Sequence, residues 1–133
     1  MEDCIFCQII GGQIPSYKIY EDANTYALLS IANDFYGHTL VLPKTHSVNL
    51  LDATPAVIAH TMNTAQKIAR HFVDKLGFDG VNVFINNGES AEQTVFHFHV
   101  HIVPRRRGAT HNWWKGKLER NLGEEQATLR LSE

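Results

Sequence analysis

The segment His97-Phe98-His99-Val100-His101-Ile102-Val103 constrains the fold more than any other part of this chain. Along an extended strand successive side chains point to opposite faces, so Phe98, Val100 and Ile102 share one face while His97, His99 and His101 share the other. The apolar set requires a core on its side, and three neighbouring imidazoles require a chemical reason on theirs. Such a strand also needs partners. Residues 17–21 and 25–31 are predicted to form two strands, separated by the turn composition Asp22-Ala23-Asn24. A third strand covers residues 39–42 and ends at Pro43, which has no N–H to give a ladder. Residues 81–85 form a fourth and residues 96–103 the fifth.

The cover for this sheet is legible between Thr54 and Gly77. Thr54 is an N-cap type and Pro55 suits the first helical position. Val57, Ile58, Met62, Ala65, Ile68, Ala69, Phe72 and Leu76 then recur at three- and four-residue steps until Gly77 ends the pattern. A short helical turn is expected over residues 4–10, stopped by Gly11-Gly12. Strands grouped around one long helix indicate an α+β domain rather than a doubly wound parallel sheet. At 133 residues the chain makes one domain. Residues 1–12 form its N-terminal segment and residues 105–133 a polar tail.

A formal net charge of -2 provides no field to attract nucleic acid or an anionic membrane. No long apolar run is present, and Met1-Glu2-Asp3-Cys4 does not open a signal peptide, so a cytoplasmic protein is expected. In that setting Cys4 and Cys7 read as reduced thiols before they read as a disulfide. A lone Cys-x-x-Cys fits either buried thiols or half of a metal site.

Three explanations of the histidine face compete. The rings are partly exposed polar residues, or they hold zinc or iron through neutral ring nitrogens, or one is a nucleophile toward phosphorus. The polar run from Asn86 to Thr94 precedes the histidine strand, and its amides and hydroxyl have the chemistry to hold phosphate oxygens. Turn formation or solvation accounts for them equally simply, as a hydrogen bond to a loop does for His38.

Here the chain resembles the histidine triad superfamily, whose motif is His-φ-His-φ-His-φ-φ with φ apolar. Residues 97–103 match every position, and the likeness extends to Gly37-His38-Thr39-Leu40-Val41-Leu42-Pro43-Lys44 and to the segment from Asn86 through Val95. The resemblance implies a five-stranded antiparallel sheet with one long helix and short helical segments, continued across a homodimer. It implies hydrolysis or transfer at the α-phosphate of nucleoside phosphoramidates or dinucleoside polyphosphates, with a purine nucleotide or dinucleotide as substrate. On that basis His99 is the nucleophile, His101 and His38 position phosphate, and Asn86, Gln93 and Thr94 supply polar contacts. The resemblance also implies structural zinc on Cys4, Cys7, His46 and His97, which removes His97 from the chemistry. The competing functions are a regulatory nucleotide-binding protein with incidental turnover, and a metalloprotein holding an open site on His97, His99 and His101.

The chain departs from the family pattern at Ser30, where an aspartate for the ribose hydroxyls is expected. A serine does not reproduce a carboxylate's paired acceptors. Ile31 is placed to touch sugar or base, or to pack in the core. Arg105-Arg106-Arg107 fits a solvated charge run or attraction to a polyphosphate leaving group. Trp113-Trp114, with His111 nearby, fits packing within the chain or across a subunit boundary.

Overall fold

The computed structural model describes residues 3–108 and 119–131, so the expectations for His111, Trp113 and Trp114 lie outside the described residues. Five antiparallel strands, β1 (Lys18–Glu21), β2 (Thr25–Leu29), β3 (Thr39–Pro43), β4 (Gly80–Phe84) and β5 (Val100–Arg105), form one sheet in the order β1-β2-β3-β5-β4. The Asp22 carboxylate folds the first hairpin, accepting the N–H of Asn24 at 2.9 Å and of Thr25 at 2.8 Å. Helix α2 (Pro55–Arg70) covers one face, begun by Thr54, whose hydroxyl accepts the Val57 N–H. Its chain continues as a wider π turn from His71 to Lys75 before Gly77 leaves at positive φ. Thr61, Thr64, Ala65 and Ile68 are buried on the helix, whereas Met62 faces outward and is corrected from the expected apolar stripe.

Phe98, Val100 and Ile102 are wholly buried in the core under α2, together with Leu29, Val41, Ile68 and Phe72. Removing such a side chain from water is worth about 1.5–3 kcal/mol each. The opposite face carries Tyr26, Leu28, Leu40 and Leu42, covered by Phe6 and Ile9 of α1 (Ile5–Ile10).

The alternation predicted for residues 96–103 is present, but the ladder begins at Val100. Register pairs Val41 with Val100 and Leu40 with His101, so the next partners would bring Phe98 opposite Pro43. Pro43 has no N–H, and the strand pairing stops short of it. Residues 96–99 remain anchored instead to the loop after β3, where the Phe98 N–H donates to the Ser47 carbonyl at 2.7 Å.

The tail contains an element not anticipated from its polarity, α3 (Leu122–Leu129). Asn121 caps it by accepting the Glu124 N–H, Leu129 is buried in the core, and the Leu131 N–H donates to the Ile19 carbonyl. Glu125, also buried, accepts the Gly37 N–H at 2.9 Å. Gly37 is required here: its φ is +73°, and a Cβ would lie 2.6 Å from Pro104 Cγ.

Candidate active site

Three strands and a turn converge on the α1 side of the sheet to build a histidine cluster. His101 stands on β5 between Leu40 and Phe84, the residues opposite it on the neighbouring strands, and stacks on the Phe84 ring at 4.5 Å. His99, two residues earlier, lies with its ring centroid 4.8 Å from that of His101. Its Nδ1 donates to the His97 carbonyl at 2.7 Å, which leaves the Nε2 lone pair unprotonated. Burial, reinforced by the charge of His38, lowers the proton affinity of His99 and favours the neutral ring, although its bond to the His97 carbonyl opposes the shift. A neutral imidazole with a bare Nε2 is a nucleophile.

His38, immediately before β3, is brought beside this pair by strand order. Its Nε2 lies 2.9 Å from His101 Nδ1, and its Nδ1 lies 3.0 and 3.1 Å from the two oxygens of Asp34. Burial first, then repulsion from His99 and His38, pushes His101 down to about 3 against the attraction of Asp34. His101 is therefore neutral near pH 7.

These three histidines border a cavity of about 820 Å³, within the range of about 300–1,000 Å³ common for small-molecule sites. Its wall includes the apolar side chains of Ile5, Phe6, Ile9, Ile14 and Leu28 and, among others, Ser30, Ile31, Asp34, Asn86 and Thr94. Ile31 is 76% exposed at the rim and takes no part in the core. Gln93 is not on the cavity wall. Its amide is committed to the protein, donating to the Val48 carbonyl at 2.6 Å and the Val95 carbonyl at 3.1 Å, and accepting from Gly88 N–H and Asn49. It fixes the Asn86–Thr94 loop and offers nothing further to a ligand. Arg105 and Arg106 also lie off the wall, over the rings of Phe35 and Phe78.

His97 belongs to a different group. Its Nδ1 lies 3.4 Å from Cys4 Sγ, 3.5 Å from Cys7 Sγ and 3.2 Å from His46 Nδ1, while Cys7 Sγ lies 3.4 Å from His46 Nδ1. All four ligand atoms fall within 4.8 Å of one another. A zinc ion with ordinary bond lengths in a tetrahedron sets sulfur and nitrogen ligands about 3.6 Å apart and two nitrogens about 3.3 Å apart, which the four distances above approach. The tautomer fits as well, because His97 Nε2 donates to the Pro43 carbonyl at 2.8 Å and leaves Nδ1 free to ligate. Burial pushes His97 down to about 4, with His46 and His99 adding to it, so the ring is neutral as a ligand must be. Burial and the adjacent Cys4 thiol raise Cys7, a cost that a cation between the sulfurs removes. The shared site on His97, His99 and His101 that the competing metalloprotein reading requires does not form: each Nδ1 faces a different partner.

Sequence reasoning missed Asp34, Arg120 and Glu125. The Arg120 guanidinium is fully buried, donating to the carbonyls of Ser30 at 2.6 Å and Ala32 at 2.7 Å and to Glu125 at 2.8 Å. It thereby holds the loop bearing Ser30 and Asp34. The only local signals were an acid four residues before His38 and the Asn121-x-x-Glu124 helix start.

Comparison with known proteins bears on the family and the fold. The HIT domain model matches residues 11–108. "Protein hit" of Bacillus subtilis is 48% identical over 104 residues, covering 78% of this chain and 72% of that protein. An adenosine 5'-monophosphoramidase of Saccharomyces cerevisiae is 39% identical over 103 residues, covering 77% of this chain and 63% of its own. The crystal structure of a Zn-bound histidine triad family protein from Mycobacterium smegmatis superposes with a TM-score of 0.88 at 42% identity, covering 97% of this chain and 91% of that one. With three-quarters of its length matched by the family model, the fold reproduced by a solved member and the triad set in place, the chain belongs to the HIT domain family.

Proposed function

We propose that this protein hydrolyses or transfers nucleotides by cleaving at the α-phosphate of nucleoside phosphoramidates or dinucleoside polyphosphates, through a transient nucleotidyl-His99 intermediate. The observation that carries the reading is the His99 tautomer: Nδ1 is held by the His97 carbonyl, and the ring borders a nucleoside-sized cavity. His99 Nε2 forms a bond to phosphorus as the bond to the leaving group breaks, and the leaving group departs with the electron pair and takes a proton from His101. Water then attacks the same phosphorus, releases His99 and returns a proton to the histidine pair. In this reading Asn86 and Thr94 contact the phosphate, Ser30 and Ile31 the ribose, and the apolar side chains take the purine; all of them line the cavity. Gln93 acts by shaping the loop. The monophosphoramidase among the relatives supports this substrate class.

Cys4, Cys7, His46 and His97 would hold zinc. When bound, the metal supplies a four-ligand tether joining α1, the loop after β3 and the segment before β5, with no position open to substrate. Among the described residues β4 is an edge strand, and its exposed Val83 suits a homodimer that continues the sheet. The enzyme so proposed works on nucleotides in the cytoplasm; separately, no helix among the described residues is long and apolar enough to cross a membrane.

The test is a panel of adenosine and guanosine phosphoramidates and dinucleoside polyphosphates, assayed with and without chelator present during the reaction. Nucleotide release that survives brief chelation is expected. Tight nucleotide binding without turnover of any substrate would show a regulatory binding protein instead, and turnover strictly dependent on added metal would show an open metal site.

A further inference from the structure

Asp34 stands outside every motif that links this chain to its family, yet it touches the reactive cluster directly. Its carboxylate lies 3.0 and 3.1 Å from His38 Nδ1, and His38 Nε2 in turn lies 2.9 Å from His101 Nδ1. Burial works against ionisation of Asp34, but the bond and charge of His38, the Phe35 N–H and the nearby Arg120 together hold its carboxyl below the ordinary range. An ionised Asp34 accepts only, so His38 Nδ1 carries a proton. Everything further along the chain of rings follows from that one constraint.

If the pair holds no extra proton, His38 Nε2 is the acceptor and His101 Nδ1 the donor, which leaves His101 Nε2 bare. If one proton is added, it resides on His38, whose Nε2 then donates to His101 Nδ1. His101 stays neutral but changes tautomer, and its Nε2 becomes an N–H. That nitrogen is buried and has no protein partner among the described residues, while His101 borders the cavity. The other charged or titratable groups around the pair are His99 on the same face, Arg120 3.9 Å from Asp34 and itself paired with Glu125, and Arg105 across the Phe35 ring.

We propose that Asp34 is a positioning residue that seats a proton on His38 and so sets His101 as the N–H donor to the leaving group. The inference rests on the hydrolytic reading above. In the first step the leaving group takes the proton from His101 Nε2 as the bond to phosphorus breaks, and His101 Nδ1 recovers one from His38 Nε2. The water that releases His99 returns a proton by the reverse route. Asp34 remains ionised throughout and touches no reacting atom.

Three variants test it: Asp34→Asn, which keeps an acceptor but removes the charge, Asp34→Ala, and Asp34→Glu as the conservative rescue. A hydrogen bond made by a charged group exceeds a neutral one by about one pH unit of proton affinity, a tenfold effect. For Asp34→Asn the alkaline limb of kcat should therefore move down by about one unit. Near pH 8 an amine-leaving phosphoramidate should lose about tenfold in kcat with little change in KM. A nitrophenyl ester of the same nucleotide, whose leaving group needs no proton, should lose far less, and Asp34→Glu should restore part of the difference. Equal losses for both substrates with an unmoved limb would overturn the proposal and mark Asp34 as merely structural. The second readout is independent of turnover: the pH at which the ¹⁵N shifts of His38 and His101 change should fall by about one unit in Asp34→Asn. If the wild-type protein turns over no substrate, the hydrolytic reading fails. An unmoved ¹⁵N transition would then overturn the Asp34 inference separately.

Discussion

Substitution His99→Ala is expected to lower kcat by at least about a thousandfold while the protein remains folded and still binds nucleotide, because the variant removes the only nitrogen assigned to form the covalent intermediate. His99 lies at the cavity edge beside Phe6, with ring centroids 5.2 Å apart, and its Nδ1 bond is to backbone within its own segment. Its loss therefore leaves a modest gap without breaking the sheet or the cysteine cluster. Nucleotide affinity should change little, since the apolar side chains lining the cavity, among them Phe6, Ile9, Ile14 and Leu28, are retained. Steady-state assay and calorimetric binding of the mononucleotide separate the two quantities. Retained turnover would remove His99 from the nucleophile's role.

The second large effect concerns the metal. Stripping zinc with a chelator, or replacing Cys4 and Cys7 by alanine, is expected to lower Tm by on the order of 10 °C. A ligand present at about a thousand times its dissociation constant contributes about 4 kcal/mol to the folded state, and each kcal/mol is worth about 2–8 °C for domains near this size. The tether closes loops of very different length, since Cys4 and Cys7 precede His46 and His97 by tens of residues. Activity should decline after stability does, because the carbonyl that orients the His99 ring belongs to His97 itself. Elemental analysis with thermal denaturation checks both. Protein purified without near-stoichiometric zinc, and a Cys4→Ala/Cys7→Ala variant with unchanged Tm, would contradict the assignment.

What was legible in the sequence was local and periodic. The alternation of residues 97–103 separated Phe98, Val100 and Ile102 from the histidines, and Thr54-Pro55 marked the start of α2. The four cysteine and histidine ligands followed only from resemblance, since their spacing along the chain says nothing of their approach in space. Helix α3 escaped notice because its eight residues, half of them polar, owe their structure to tertiary contacts, namely Leu129 in the core and Glu125 between Gly37 and Arg120. The start of β5 was set by a proline on its neighbour, a fact of register rather than composition. Gln93 has the chemistry of a phosphate ligand, but its buried amide is satisfied by Val48, Val95, Gly88 and Asn49. For Asp34 the one local signal was its place four residues before His38, and spacing in a loop does not by itself bring a carboxylate to a ring.

The central claim is that His99 bonds to phosphorus before water does. Each in-line displacement inverts the configuration at phosphorus, so two in succession restore it. The most direct measurement is hydrolysis of a nucleoside phosphoramidate made chiral at phosphorus by sulfur and oxygen isotopes, followed by assignment of the product's configuration. The account predicts net retention. Net inversion would mean that water attacks the substrate itself, and would contradict the nucleotidyl-His99 intermediate.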